Sequence, residues 1–467
     1  MISKTIELGG NKKLSVSLQL KYLNRHGLIT GATGSGKTVS LQLIVEQLSR
    51  AGVPVFAPDV KGDLIGVSMS GKASPEILQL LSEKNLKEPS WKACPVRLWS
   101  IGEHQNATRM FAKVLTVGPL LISRLLNLSE VQTSVMQIAF RISREQNQPI
   151  STLSDLLALF AWMSANRETL SPTYGSFQDT TISTIQRALV ILEEQHGGHF
   201  FSDSELRLED LMRIEDNEGV VNLLEAKSLL RHPTLYAVAF SWLLERLYNE
   251  LDEVGDLEKP KLVIFIDEAH LLFESLGKSL QDNLERCVRL IRSKGVSVVF
   301  VSQLPSDIPE DVLGQLGNRI QHVLRAYTPK DQKAVRVAAQ TMRSNPNLNI
   351  ESAITELSPG EALVSVLQED GTPSLTQRVW INMPGSQIGV KDSVSLLPPI
   401  NPSTSKFEPQ KKLIEKPIES SRAEPIPTPS QPKNIENNEN GPMSIPDSIT
   451  FGVTVTTMWL LKIFKRK

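Results

Sequence analysis

The spacing of apolar and polar positions in the first sixty residues predicts a β-α-β unit. Residues Ile6–Leu20 alternate loosely between polar and apolar side chains, which predicts one or two short edge strands. His26–Thr30 is a brief apolar run that enters a glycine-rich loop. Val39–Ala51 then has helical spacing, and Val53–Ala57 is a second apolar run. The order strand, loop, helix, strand predicts a parallel sheet with right-handed crossovers.

The middle third of the chain has a different, helical periodicity. Apolar residues recur at helical intervals in Leu120–Glu145, Thr152–Ala165, Thr181–Gln195 and Leu235–Leu251. Thr152 and Asp155 have the spacing of a capping box at the start of one helix. The shorter run Gly219–Leu224 is compatible with a strand. We therefore predict a mainly helical insertion over residues 119–254.

The sheet pattern returns after the insertion and then gives way to a polar tail. Lys261–Ile266, Val296–Val301 and Gln321–Arg325 are predicted strands. Beyond residue 384 the composition shifts to Pro, Ser, Asn, Lys and Glu, which predicts a disordered linker over 385–448. The predicted parts are a short N-terminal β segment (1–25), a divided α/β core (26–118 and 255–384), the insertion, the linker and a short apolar and basic segment (449–467).

One motif in the first part of the core carries recognisable chemistry. It matches the pattern G-x-x-x-x-G-K-[ST] at every fixed position, follows a predicted strand and opens a predicted helix. Glycines let successive backbone N–H groups point at phosphates, the lysine supplies a mobile charge, and the final hydroxyl binds Mg²⁺. The motif predicts binding of ATP and Mg²⁺ by Gly31, Ala32, Thr33, Gly34, Ser35, Gly36, Lys37 and Thr38.

A second acidic motif and a polar strand end complete the predicted site. Asp267 and Glu268 follow a buried strand, where Asp267 would hold Mg²⁺ and Glu268 would polarise the attacking water. The alternative is that the two acids only cap the next helix. Gln303 follows another buried strand and is a predicted γ-phosphate sensor, the alternative being a loop residue without a role. These residues predict an α/β P-loop ATPase.

Composition narrows the classes of partner and compartment. The formal net charge of −1 means that any nucleic-acid contact needs a local basic surface, and 5% aromatic content disfavours base-stacking platforms. Cys94 and Cys287 have no metal-ligand spacing and are predicted to be free thiols in a reducing compartment. The N-terminus has no apolar signal-peptide core, and no run reaches the length of a membrane span, so we expect a cytoplasmic protein.

Several segments resemble the HerA-like bacterial ATPases. The resemblance is carried by His26–Thr38, Asp59–Leu64, Phe265–Phe273, Val288–Gly295 and Ile308–Arg325. It implies a RecA-like core of the HerA/FtsK superfamily, assembled as a hexameric ring that moves duplex DNA through its centre. It supports the roles given above to Lys37, Thr38, Asp267, Glu268 and Gln303, and adds Asp59 as an acid lining the site.

The resemblance also points to arginines. Arg25 matches an arginine that reaches a neighbouring subunit's nucleotide, Arg292 lies in the region of an arginine acting within its own subunit, and Arg319 is a further possibility. An arginine supplied by a neighbour stabilises transition-state charge and makes hydrolysis depend on assembly. For each arginine the alternative is an ordinary surface charge. On the predicted helix Gln281–Lys294, a solvated face explains the spacing of Arg292 with its neighbours equally well.

Three functional hypotheses follow. The first is an oligomeric DNA translocase or helicase, for which Lys61, Lys294, Lys333 and Arg336 are possible DNA contacts. The second is a partner-driven secretion, conjugation or assembly ATPase, and the third is a small-molecule kinase, which Glu268 argues against.

In archaeal HerA proteins a β-barrel docks a nuclease. Only Met1–Arg25 precede the core here, so a nuclease or other protein partner would need another surface. The tail Phe451–Phe464 favours docking on the ring or a partner over membrane contact.

Overall fold

The computed structural model describes residues 4–389, apart from residues 12, 13, 103, 105 and 195. The predicted linker beyond residue 389 and the C-terminal segment 449–467 lie outside the described residues. The strands of the described part are β1 (Thr5–Asn11), β2 (Leu14–Gln19), β3 (Gly27–Thr30), β4 (Val55–Asp59), β5 (Val96–Ser100), β6 (Thr108–Arg109), β7 (Ile214–Glu215), β8 (Glu218–Gly219), β9 (Val221–Glu225), β10 (Leu262–Ile266), β11 (Val296–Ser302), β12 (Asn318–Gln321), β13 (Glu361–Ser365) and β14 (Gln377–Ile381).

Helices cover the sheet and form the middle third of the chain. The α-helices of the described part are α1 (Lys37–Arg50), α2 (Pro75–Lys84), α3 (Val114–Leu125), α4 (Glu130–Glu145), α5 (Leu153–Ala165), α6 (Arg167–Tyr174), α7 (Asp179–Glu194), α8 (Pro233–Glu250), α9 (His270–Ser275), α10 (Lys278–Leu290), α11 (Glu310–Leu313), α12 (Pro329–Gln340) and α13 (Ile350–Glu356). Short 3-10 helices include Leu20–Arg25, Leu64–Ser68 and Ile291–Lys294.

One mixed sheet organises the fold. In the described residues it has twelve strands in the order β2-β1-β14-β13-β12-β3-β11-β10-β4-β9-β5-β6. The strands from β12 to β6 in that order are parallel, whereas β13, β14, β1 and β2 pair antiparallel at one end. The α/β class and the mainly parallel sheet are confirmed. The one or two edge strands predicted within Ile6–Leu20 are β1 and β2.

The two faces of the sheet bury separate cores because strand residues alternate in direction. On one face Phe56, Ile264 and Phe300 belong to a core that includes α8 and helices α3 to α7. On the other face Val263 and Phe265 pack with the apolar side of α1. The strands are therefore covered on both sides, and only their ends are free to carry chemistry.

The helical region agrees with the periodicity except for one long segment. Leu120–Glu145 is two helices, because Asn127 takes a left-handed φ of 52° after α3 and Ser129 opens α4 with a capping box. The predicted box between Thr152 and Asp155 is present at the start of α5. The run predicted as a strand becomes β9, which joins the main sheet between β4 and β5.

Two further expectations differ from the structure. The strand predicted at Gln321–Arg325 is β12, which ends at Gln321, because the Val323 carbonyl accepts a hydrogen bond from Ala32 N–H instead of a strand neighbour. Residues 385–387 belong to the ordered fold and not to the linker. The buried carboxylate of Glu46 on α1 accepts hydrogen bonds from the Gly385 and Ser386 N–H groups, at 3.0 and 2.8 Å.

Candidate functional site

The glycine-rich loop lies at the C-terminal edge of the parallel strands, between β3 and α1. Gly31 N–H donates to the Gln303 carbonyl (3.1 Å), and Ala32 N–H donates to the Val323 carbonyl (2.8 Å). These bonds tie the loop to the ends of both strands that flank β3. Gly36 has a φ of 107°, a left-handed conformation that favours glycine.

His322 packs against the loop and leaves no room for a side chain at Gly31. A Cβ at Gly31 would lie 2.5 Å from the Cβ of His322. The His322 ring is buried between the Ser40 hydroxyl (Nε2–Oγ, 2.8 Å) and the Glu361 carbonyl (Nδ1–O, 3.0 Å). Burial lowers its pKa to about 4, so the ring is neutral at physiological pH.

Lys37 begins α1 and lies over the loop. Its Nζ donates to the carbonyl oxygens of Gly31 (2.5 Å) and Ala32 (3.1 Å). Partial burial lowers the pKa of Lys37, opposed by the negative charges of Glu268 and Asp267. A charge held in this position faces the same cavity as the loop N–H groups, which suits an anionic phosphate.

Asp267 and Glu268 complete the cavity from the end of β10. The cavity is lined by the loop, Lys37, Thr38, Asp267 and Glu268, so the structure brings the two sequence motifs together. Burial, with the neighbouring Glu268 charge, raises the pKa of Asp267 to about 6. The Thr38 hydroxyl and the Asp267 carboxylate are oxygen donors of the kind that Mg²⁺ prefers, so the donor set fits this ion. No cluster of three or more His, Cys, Asp or Glu ligands occurs within the described residues.

Lys61 also lines this cavity, which the sequence reasoning missed. Asp59, predicted to line the site, instead anchors the turn that carries Lys61. Its carboxylate accepts hydrogen bonds from the N–H groups of Gly62 (2.9 Å), Leu64 (3.2 Å) and Ile65 (2.9 Å). The available signal was position, because Lys61 follows a parallel strand whose C-terminal end meets the phosphate loop. Lys61, which was predicted as a possible DNA contact, therefore lies at the nucleotide site.

Gln303 follows β11 at the same edge. Its carbonyl receives the Gly31 N–H, and its side chain is exposed. The sensor role of that side chain stays a prediction.

The predicted arginines lie elsewhere. Arg25 precedes β3, and Arg292 lies before β11 with its guanidinium 3.6 Å from the Asp256 carboxylate. Seven residues of β11 separate Arg292 from the phosphate edge, which is about 20 Å of strand. An arginine side chain does not span that length, so the structure lends no support to the expected action of Arg292 within its own subunit, and that role stays a prediction. Both arginines lie at the N-terminal edge of the sheet.

Arg319 is a structural residue. Its half-buried guanidinium donates to the carbonyl oxygens of Leu316 (3.0 Å) and Leu313 (2.8 Å), and also to that of Thr341. These bonds join β12 to the segment before it and to the end of α12. The guanidinium is thus bound to backbone carbonyls in this structure, and the possibility that Arg319 reaches a nucleotide stays a prediction.

The remaining expectations concern thiols and membranes. Cys94 and Cys287 are both buried and free, as predicted. Burial is the main cause that raises their pKa, to about 12 and about 11 respectively, so both are protonated. Within residues 4–389, none of the helices combines the length and apolar character needed to cross a membrane.

A parallel sheet with a glycine-rich loop, Lys37, Thr38 and a strand-end acid pair at one edge defines a P-loop ATPase. Comparison with known families agrees. Residues 5–395 match the family described as helicase HerA-like C-terminal, and the chain belongs to this family.

Individual relatives are distant. A probable helicase of Methanocaldococcus jannaschii is 24% identical over 384 residues, 77% of this chain and 68% of that protein. The DNA double-strand break repair helicase HerA of Sulfolobus acidocaldarius is 22% identical over 367 residues, 76% of this chain and 65% of that protein. The chain thus spans about two thirds of the length of these relatives.

Solved structures share the fold. The bacterial conjugative coupling protein TrwB, in a crystal form with sulphate, aligns with a TM-score of 0.53 at 13% identity, covering 84% of this chain and 91% of that one. VirB4 of Thermoanaerobacter pseudethanolicus aligns with a TM-score of 0.50 at 13% identity, covering 84% and 98%. At these identities the likeness describes the fold.

Proposed function

We propose that this chain is an ATP-hydrolysing ring motor that acts on DNA, a translocase or helicase of the HerA type. The observation that carries the proposal is the cavity in which Lys37, Thr38, Asp267 and Glu268 meet. Binding residues from one motif and acids from the other converge there, as nucleotide hydrolysis requires.

Each residue has a distinct task in this proposal. Loop N–H groups and Lys37 bind the phosphates and neutralise charge that develops on them. Thr38 and Asp267 would hold Mg²⁺, which would stabilise negative charge on the phosphates when bound. Glu268 orients a water for attack on the terminal phosphate and draws away its proton. Lys61 places a second cation at the same cavity.

The position of Arg25 at the N-terminal ends of the parallel strands favours a role in a neighbouring subunit. Arg25 lies before β3, whereas the phosphate loop follows β3, so this arginine lies at the opposite end of β3 from the nucleotide site of its own subunit. In a ring of identical subunits each interface joins two different surfaces, which can bring one subunit's N-terminal edge to the next subunit's loop. We propose that Arg25 acts in this way. A hexamer and a cytoplasmic location remain predictions.

Duplex DNA as the substrate is inferred from the helicase relatives and the family. With a formal net charge of −1, the chain needs a locally basic surface for DNA, and its affinity should fall steeply with salt. A nuclease or another protein partner stays a prediction.

The test is the steady-state ATPase rate with and without linear duplex DNA, at low and moderate salt. We expect stimulation by DNA that fades with salt. Glu268→Gln should bind ATP normally and lower kcat by about 10²–10⁴-fold, the contribution of a positioned base. Lys37→Ala should lose nucleotide binding. The matched control Glu274→Gln changes an exposed glutamate of α9 and should leave the rate unchanged.

Two outcomes would contradict parts of the proposal. Nucleotide binding by Lys37→Ala equal to that of the wild type would refute the site. An ATPase rate indifferent to any nucleic acid would refute the DNA motor and favour a partner-driven secretion, conjugation or assembly ATPase.

A further inference from the structure

The backbone of Glu268 has an unusual conformation. Its φ of 48° lies in the left-handed region, which is uncommon for residues other than glycine, asparagine and aspartate. Such a conformation persists only where the surrounding structure fixes it, and it is frequent at functional sites. Contacts around Glu268 should therefore hold this conformation in place.

Hydrogen bonds fix the peptide groups on both sides of Glu268. On the C-terminal side, Ala269 N–H donates to the Val301 carbonyl of β11 at 3.0 Å. On the N-terminal side, the Tyr236 hydroxyl donates to the Asp267 carbonyl at 2.6 Å. The Glu268 N–H also donates to the Asp267 carboxylate at 2.9 Å, and the Glu268 carbonyl accepts from the Leu271 N–H at 2.9 Å. Among these bonds, only the one from Tyr236 comes from a side chain outside the segment 267–271.

Tyr236 lies on α8, where the packing around its ring fixes the position of its hydroxyl. It is fully buried, and its ring packs on Phe240 with centroids 4.7 Å apart. A carbonyl oxygen can only accept a hydrogen bond, so the Tyr236 hydroxyl is the donor in this contact. A buried hydroxyl needs a hydrogen-bond partner, and for Tyr236 that partner is the Asp267 carbonyl.

We propose that Tyr236 is a positioning residue that holds Glu268 in the left-handed conformation needed to orient the attacking water. The inference rests on the proposed role of Glu268. Helix α8 also contacts α3, because the Trp242 indole N–H on α8 donates to the Thr116 hydroxyl on α3 at 3.2 Å. Helix α8 thus contacts both α3 and the segment that carries Glu268.

The test removes only the hydroxyl. Tyr236→Phe keeps the ring packing but leaves the Asp267 carbonyl without this donor, so Glu268 can relax toward an ordinary backbone conformation. We expect kcat for ATP to fall by about tenfold, part of the roughly 10²–10⁴-fold contribution of a positioned base. The KM for ATP should stay within about twofold, because the loop and Lys37 are unchanged. The matched control Tyr248→Phe removes a hydroxyl from the same helix and should change neither constant.

A double variant separates positioning from a general structural effect. If Tyr236 acts through Glu268, adding Tyr236→Phe to Glu268→Gln should not lower the residual rate further. An equal fractional loss in both backgrounds, or an unchanged kcat for Tyr236→Phe alone, would overturn the inference. In both cases a slow Glu268→Gln variant leaves the proposed function intact. A Glu268→Gln variant as fast as the wild type would instead overturn the assignment of Glu268 and this inference with it. ATP affinity, measured for every variant, reports whether each protein is folded.

Discussion

Acidification should destabilise this fold through His26, which lies between Arg25 and β3. The ring is 2% exposed. Its Nδ1 accepts a hydrogen bond from Val298 N–H at 3.1 Å, and its Nε2 lies 2.8 Å from the Val288 carbonyl, to which it donates. One neutral tautomer satisfies both partners. Protonation would place a second ring N–H against the Val298 N–H, so the charged ring loses a bond.

The magnitude follows from the pKa. Burial, with the positive charge of Arg292, lowers the pKa of His26 from 6.5 to about 4, although the bond to the Val288 carbonyl opposes the shift. The folded pKa lies below the unfolded one, so the unfolded chain binds more protons between these values. Stability from the neutral ring is therefore fully present above about pH 6.5 and is lost as the pH falls toward 4. Between about pH 7 and pH 5 the loss is about 1.8 kcal/mol.

The assay is urea unfolding at fixed protein concentration between about pH 7 and pH 5, a range that avoids most carboxylate titration. The pKa of His322 is also lowered to about 4, so the two buried histidines together should cost about 3.6 kcal/mol over this range. Asp267 has a raised pKa of about 6 and the opposite sign, and it should offset about 1.3 kcal/mol of this loss. His26→Asn keeps a hydrogen-bond acceptor but cannot titrate. It should lose about 1.8 kcal/mol less than the wild type over this range. The exposed control His199→Asn should retain the full loss. A pH dependence in His26→Asn equal to that of the wild type would refute the reasoning.

Three further substitutions test other contacts. Lys61→Ala should raise the KM for ATP by roughly tenfold, the effect of about 1.4 kcal/mol of lost attraction, and the difference should shrink with salt in steady-state assays. Glu46→Gln weakens the acceptor for the Gly385 and Ser386 N–H groups and should cost about 1–3 kcal/mol of unfolding free energy, with unchanged melting as the contrary result. Arg319→Met removes the donor to several carbonyls and should lower stability by about 1–3 kcal/mol while ATP affinity stays the same; lost affinity in a folded variant would contradict the structural role.

The nucleotide site could be predicted from the sequence because its parts are local. The loop is one continuous motif, and Asp267 and Glu268 directly follow a run of buried strand residues. In parallel sheets such positions share an edge, so their meeting needed no knowledge of the full topology. Lys61 followed the same rule, but its strand end also carried the more suggestive Asp59.

The rest depended on distant pairing. Strands β13 and β14 were missed because sequences such as Glu361–Ser365 are short and begin with a charge, and only their antiparallel partners make them strands. The position of Arg292 relative to the phosphate site could not be predicted for a related reason. Sequence spacing puts it near a predicted strand, but only the direction of β11 shows that it lies at the end away from the phosphates.

The separation of Arg25 from the phosphate loop leads to a test of assembly that uses two inactive proteins. If Arg25 serves the neighbouring subunit, an Arg25→Ala subunit still has a complete loop, and a Lys37→Ala subunit still offers its arginine. Random mixing would place the required pair at about a quarter of the interfaces of a ring with head-to-tail contacts. We therefore expect co-expressed, co-purified mixtures to regain up to about a quarter of the wild-type ATPase rate.

The matched control mixes Glu268→Gln with Lys37→Ala. Both changes affect residues that the structure places in one cavity of one subunit, so every interface in this mixture keeps a defect and the rate should not recover. If the Arg25→Ala mixture also fails to recover although the subunits co-assemble, Arg25 does not act across an interface. The position of Arg25 before β3 would then be that of a surface charge, and dependence of hydrolysis on assembly would have to come from another residue.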